Sequence, residues 1–173
     1  KLDEKGLREN TLVVLTSDHG DYLGDHWLGE KDLHHDPSIR IPLIISDPSD
    51  AANSTRGSIS DALVEAIDLV PTLTEYAGAK ICSERLEGRS LTPLMQGRLP
   101  SGSWRDYIIS EIDYSDRGPR TLLNLHPYDC RARVIRTHQW KYVLHERFRP
   151  QLYNLVDDPN EFKDLGDDPS CAE

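Results

Sequence analysis

The sequence predicts an α/β fold in two parts, with residues 1–100 continuing an α/β core and residues 101–173 forming a small antiparallel β subdomain with a short terminal helix. Three observations carry this. Two short, continuously apolar and β-branched runs, Thr11–Ser17 and Pro42–Ser46, have the composition of strands buried on both faces. A helix pattern follows them, with Asp68 as N-cap, Pro71 in the first turn and Gly78 at the end. Beyond the breaks at Pro93 and Pro100 the chain reads as strands only: Trp104–Ile112, Arg131–Thr137 and Trp140–Leu144. The last two are joined by Thr137-His138-Gln139, short enough for a hairpin.

The remaining elements follow in order. Lys1–Asn10 reads as the tail of a helix. A polar loop spans Asp47–Gly57, and a short strand is expected near Ala62–Ile67. A last short helix is expected near Asn160–Leu165, with Asp157 or Asp158 at its start. The pairs Asp157-Asp158 and Asp167-Asp168 read as caps and solvated turns, because nothing adjacent completes a metal site.

The chemistry concentrates where the first strand ends, in Asp18-His19-Gly20-Asp21. In open α/β sheets, ligands collect at the carboxyl ends of strands. Asp offers a hard oxygen and neutral His a nitrogen, a pair suited to a divalent cation such as Mn²⁺, Zn²⁺ or Ca²⁺. The same tetrad is also compatible with a simple polar turn. The loop that follows is long for a connection in a compact domain, which marks it as functional or disordered. It carries Asp25, His26, Lys31, His34, His35 and Asp36, and its Leu23, Trp27 and Leu28 argue against disorder.

Composition narrows the classes. Hydrophobic residues make up 37% of the 173 and charged residues 29%, enough to bury a core and keep a polar surface. A formal charge of −10 argues against a general nucleic-acid binder, so any anionic ligand must be held by local cations or a metal. No apolar run approaches membrane-spanning length. Three cysteines without a C-x-x-C give neither a zinc knuckle nor a disulfide framework, and this sparse count favours a reducing compartment such as the cytoplasm. Asn53-Ser54-Thr55 matches the glycosylation pattern, which often arises by chance.

Ordered motifs add a resemblance. S-D-H-G-D-Y-L-G-D-H-W-L-G-E-K at residues 17–31, then His35-Asp36-Pro37-Ser38-Ile39-Arg40-Ile41-Pro42-Leu43, resembles the second half of the sulfatase-like hydrolases of the alkaline phosphatase superfamily. Asp68-Leu69-Val70-Pro71-Thr72-Leu73 resembles that family's D-x-x-P-T-L helix start, and Gly88-Arg89-Ser90-Leu91 its G-x-S-L turn. Lys141-Tyr142, Leu152-Tyr153-Asn154-Leu155 and Asp158-Pro159-Asn160-Glu161 resemble its C-terminal signature. The H-D-P-S-x-R-I-P-L form is closest to the branch of phosphonate monoester hydrolases and related arylsulfatases.

The resemblance implies the C-terminal part of an alkaline-phosphatase-like sandwich, a mixed sheet flanked by helices, with residues 1–100 carrying half of a metal site. It implies Asp18 and His19 as ligands of one divalent metal, Mn²⁺ or Ca²⁺ ahead of Zn²⁺ or Mg²⁺, and Lys31 as an active-site lysine. A lysine of no special role is usually a solvated surface residue. His34 reads as structural, His35 is open between packing and substrate contact, and Asp25 and His26 read as loop-ordering groups. Asp36 and Arg40 are expected to form an ion pair that fixes the loop.

The implied activity is metal-dependent hydrolysis of sulfate or phosphonate and phosphate esters. A phosphodiesterase or phosphotransferase on the same fold, and a non-catalytic interaction fragment, are the alternatives. The family nucleophile is a formylglycine made from the cysteine of C-x-P-x-R, or a serine or threonine. None of Cys82, Cys130 and Cys171 stands in that motif. The expectation is therefore a C-terminal part of a longer enzyme, inactive alone. Its partners would be the remaining N-terminal part and a small sulfate or phosphonate ester, with no nucleic acid and no membrane, and with homo-oligomerisation open.

Overall fold

The computed structural model describes residues 1–82, 84–99 and 102–171. The expected break at Pro100 lies outside these residues. The chain folds into two compact units, each assembled from two segments: residues 1–18 with 41–105, and residues 19–40 with 106–173. No helix among the described residues is long and apolar enough to cross a membrane.

In the first unit, β1 (Val13–Thr16) pairs antiparallel with β2 (Leu43–Ser46), with Val13 opposite Ser46 and Thr16 opposite Leu43. Among the described residues β2 is the only ladder partner of β1. The expectation of a strand buried on both faces is therefore not met within this chain, and Leu15 remains 54% exposed. The predicted opening helix is instead two 3-10 turns, Asp3–Lys5 and Arg8–Asn10, separated where Gly6 turns left-handed at φ 63°. No strand forms near residues 62–67. There the backbone groups are taken by side chains: Trp104 Nε1 donates to the Leu63 carbonyl at 2.7 Å, and the Glu65 N–H donates to Asp68 at 2.8 Å. A 3-10 turn at Ala66–Asp68 then leads into the helix Leu69–Tyr76.

Asp68 does not cap that helix through its side chain. It is fully buried and collects the Glu65 N–H, the Arg89 N–H at 2.7 Å and a two-pronged bond from Arg105 at 2.7 and 2.9 Å. Thr72 Oγ1 accepts the Leu91 N–H at 2.8 Å. The D-x-x-P-T-L and G-x-S-L motifs are thus the two sides of one docked joint. Gly88 is required there because a Cβ would lie 2.1 Å from the Ile67 carbonyl oxygen.

In the second unit, β3 (Ile108–Asp113), β4 (Arg131–Arg136), β5 (Trp140–His145) and β6 (Gln151–Asn154) form an antiparallel sheet in sequence order. Ala132, Val134 and Val143 are buried on one face, beside Tyr114. Along β4 and β5 buried and exposed residues alternate, as a sheet with one covered face requires. Residues 160–165 are a loop, not the expected helix. Glu161 adopts φ 58°, Asp158 accepts the Lys163 N–H at 2.7 Å, and Asp164 accepts the N–H groups of Leu152 and Gly166. These side-chain bonds occupy the donors that helical carbonyls would take. The last helical element is one 3-10 turn at Pro169–Cys171.

The buried Asp68–Arg105 pair generates a test. Asp68→Ala strips a charge partner from Arg105 and leaves two N–H groups unsatisfied, so a loss of roughly 3–5 kcal/mol is expected. Chemical denaturation of wild-type and variant protein measures it, and a loss below about 1 kcal/mol would contradict this account.

Candidate functional site

The second unit carries a loop, residues 19–40, whose shape is set by a few internal bonds. The Gly20 N–H donates to the Ser38 carbonyl at 2.7 Å, the Tyr22 N–H to Glu30 at 2.8 Å, and the Gly24 N–H to Leu28 at 2.9 Å. Gly20 serves close approach: a Cβ would sit 2.0 Å from the Pro37 carbonyl oxygen. Leu23, His26, Trp27 and Glu30 all take left-handed backbone angles between 47° and 60°. Non-glycine residues adopt these at a cost, and such strain gathers in functional loops.

His19 Nδ1 lies 2.7 Å from the Gly20 carbonyl oxygen and so carries the proton. That leaves the Nε2 lone pair outward, where the Lys31 ammonium meets it at 2.5 Å. His19 and Lys31 are brought together, although twelve residues separate them. Asp18, the residue before His19, ends the other unit and is exposed, with its Oδ1 at 3.4 Å from Ser17 Oγ. An anionic oxygen and an imidazole nitrogen fixed in its metal-binding tautomer are a fitting donor set for a divalent cation. Two protein donors do not make a shell, and the described residues contain no cluster of three or more His, Cys, Asp or Glu arranged to hold a metal.

Beneath this loop lies a buried ionic cluster. The side chain of Lys141 on β5 is 0% exposed and meets Asp36 and Glu161, each at 2.5 Å, and the His34 carbonyl at 3.3 Å. Glu161 also accepts the Asp36 N–H at 2.6 Å, and Arg136 on β4 reaches Asp36 at 3.1 Å. The expected Asp36–Arg40 pair exists, but it is long at 3.7 Å and Arg40 is exposed. Asp36 is therefore held chiefly by Lys141 and Arg136, partners about a hundred residues away that local spacing did not reveal. The clue was present in the C-terminal signature, whose Lys141, Tyr153 and Glu161 all turn inward onto the loop.

His35 is buried, with Tyr22 Oη at 2.8 Å from Nδ1 and Tyr153 Oη at 3.4 Å from Nε2. Its ring stacks on His26, centroid to centroid 4.0 Å. These contacts give His35 a packing role and support loop ordering by His26. Burial pushes the Tyr22 hydroxyl up to about 12. Burial, reinforced by neighbouring cations and imidazoles, pushes His34 down to about 3 and His35 down to about 4. Both rings are neutral at pH 7. Asp168 caps its turn through Ser170, and Asp158 accepts a backbone N–H, as expected of them.

With this geometry in view, the comparisons define the class. The chain belongs to the family described as N-sulphoglucosamine sulphohydrolase, C-terminal, whose pattern matches residues 24–173. It is 37% identical to the multifunctional alkaline phosphatase superfamily protein PehA of Trinickia caryophylli, over 99% of this chain and 33% of that protein. It is 31% identical to an arylsulfatase of Clostridium perfringens, over 95% of this chain and 31% of that one. Its fold matches the phosphonate monoester hydrolase of Agrobacterium radiobacter with a TM-score of 0.89 at 33% identity, covering 99% of this chain and 34% of that one. The fold is α/β of the sulfatase and alkaline phosphatase kind, and the relatives are hydrolases. The chain spans about a third of the length of these relatives.

Two tests follow. Lys141→Met would leave Asp36 and Glu161 as unpaired carboxylates in a dry site, with an expected loss of roughly 3–5 kcal/mol. Denaturant titration and amide exchange across residues 31–38 check both the loss and its location. The histidines set a pH dependence. Their native pKa values lie below the unfolded value near 6.5, so the unfolded chain takes up protons first as pH falls. Stability is fully present above about pH 6.5 and drains away toward pH 4 and 3, by up to about 1.4 kcal/mol per pH unit for each histidine. His34→Leu should flatten that slope, and an unchanged slope would argue against a neutral buried His34.

Proposed function

We propose that this chain forms the C-terminal part of a metal-dependent hydrolase of sulfate or phosphonate esters. In this reading Asp18 and His19 contribute to a divalent metal site, Mn²⁺ or Ca²⁺ fitting best, and Lys31 binds the anionic group under attack. The nucleophile and the other ligands belong to a preceding part of a longer protein, a reading supported by the chain spanning about a third of its relatives. His19 and Lys31 are then supplied by the loop 19–40, which belongs to the same unit as the C-terminal sheet.

The observation that carries the reading is the meeting of Lys31 Nζ and His19 Nε2 at 2.5 Å, with Nδ1 tied back to the Gly20 carbonyl. It leaves Nε2 as the accepting nitrogen of His19 and holds a compact cation against it, next in sequence to the Asp18 carboxylate. A bound divalent cation supplies Lewis acidity and neutralises the charge of an anionic ester. Lys31 adds an ammonium that donates to a non-bridging or leaving oxygen as negative charge grows on it. The strained backbone at residues 23–30 and the Lys141 cluster hold the loop so that this charge arrives already positioned.

In the full-length protein, Asp18→Ala and His19→Ala are expected to lower metal content and ester hydrolysis together. Unchanged metal stoichiometry in both would refute their role. Lys31→Ala should reduce kcat/KM by on the order of 10²–10³ with little effect on stability, and Lys31→Arg should rescue poorly because a planar fork does not replace a point charge. Hydrolysis of 4-nitrophenyl sulfate and a 4-nitrophenyl phosphonate, compared across these variants, reads both effects. The isolated 173-residue chain should turn over neither ester.

A further inference from the structure

One buried serine ties the backbones of both His19 and Lys31. Among the described residues the main chain of Lys31 makes no backbone–backbone hydrogen bond. Its carbonyl is held by a side chain instead: Ser38 Oγ donates to it at 2.7 Å. The His19 end is tied to the same residue. The Gly20 N–H donates to the Ser38 carbonyl at 2.7 Å, and the Gly20 carbonyl in turn accepts from His19 Nδ1. Ser38 is 2% exposed, so its hydroxyl has no bulk water to turn to. A serine in a helical turn commonly returns its hydroxyl to its own neighbouring backbone. Ser38 lies in the turn Asp36–Ile39 but sends its hydroxyl to a residue seven positions away. That turn is itself anchored at its first residue, where Asp36 meets Lys141 and Arg136.

We propose that Ser38 is a positioning residue that sets the Lys31 ammonium against His19, an inference that rests on the reading of Lys31 as the group binding the anionic ester. A lysine head is a hydrated point charge on a flexible four-carbon stem, so it keeps one position only above a fixed main chain. The peptide plane before Lys31 is fixed by the Tyr22 N–H, which donates to the Glu30 carbonyl at 2.8 Å. The plane after it is fixed by Ser38 Oγ. The two together set both backbone angles of Lys31. The serine hydroxyl therefore carries the rigidity of the Asp36–Lys141 pair into the loop at the residue that bears the charge. Alanine at position 38 keeps the carbonyl that receives Gly20 and removes only the hydroxyl. It loosens Lys31 and leaves the His19 side in place. Lys31 is exposed, so water can take up its released carbonyl and the fold loses little.

Two measurements on the full-length protein test this. The first is a crystal structure of metal-free Ser38→Ala, in which Lys31 Nζ is expected to lie beyond hydrogen-bond reach of His19 Nε2 while the Gly20–Ser38 backbone bond persists. An ammonium still seated on His19 would overturn the proposal. The second is a double-mutant cycle read on 4-nitrophenyl sulfate and a 4-nitrophenyl phosphonate. Ser38→Ala should lower kcat/KM by about tenfold or more, since a small misplacement of a reacting group is costly. Ser38→Thr, which keeps the hydroxyl, should recover most of that loss. In a Lys31→Ala background Ser38→Ala should change kcat/KM by less than about twofold, because the group it positions is already gone. The same fold-loss in both backgrounds, or wild-type kinetics in Ser38→Ala beside an impaired Lys31→Ala, would overturn the proposal. Ser38→Cys, close in size but a weak donor, replaces Ser38→Ala in both measurements if the alanine variant does not fold. Wild-type kinetics in Lys31→Ala would instead refute the role of Lys31 in hydrolysis, and the Nζ–Nε2 distance would still decide whether Ser38 holds the pair.

Discussion

Much of the second unit depends on one ammonium. Lys141 leaves β5 for the interior and is enclosed by Asp36 from the loop and Glu161 from the C-terminal segment. A lone buried lysine would be neutral or excluded, and two buried carboxylates without it would repel each other. The three together are tolerable because each carries further bonds: Asp36 to Arg136, Glu161 to the Asp36 N–H, and Lys141 to the His34 carbonyl. Such a cluster contributes little net stability compared with an apolar core of the same volume. Its value is specificity, since only one arrangement of loop, sheet and tail satisfies every charge.

That constraint explains how a loop with strained backbone stays in one shape. Leu23, His26, Trp27 and Glu30 take left-handed angles, and Trp27 is 90% exposed, so the outer part of the loop gains little from burial. Its inner part compensates. Tyr22 and Tyr153 flank the His35 ring, His26 stacks on it, and Asp36 is locked to the sheet. The pairing of His19 with Lys31 rests on this base. In the proposed function this matters because a positioned charge is worth far more at a reacting centre than a mobile one.

The first unit shows the same economy with different chemistry. Asp68 gathers two backbone N–H groups and Arg105, and Thr72 receives the Leu91 N–H, so one helix start holds the turn that begins at Gly88. Both sequence motifs that mark this region are explained by hydrogen bonding and close backbone approach. Neither needs to touch a substrate.

What the sequence determined by itself was local. The strands β1, β2, β4 and β5 were legible from apolar β-branched runs and the helix end from Gly78. The ordered motifs were enough to mark the sulfatase-like family. Where side chains compete with the backbone, local reading failed: Asp68 drew in its neighbours instead of capping, Trp104 and Asp68 dissolved the strand expected near residues 62–67, and Asp158 and Asp164 replaced the helix expected at 160–165. Only the tertiary structure decided that the loop 19–40 packs with the C-terminal sheet and that Lys141 and not Arg40 is the main partner of Asp36. The physical reason is range. Propensity and periodicity act over a few residues, whereas charge pairing and burial join residues about a hundred positions apart and leave no local trace.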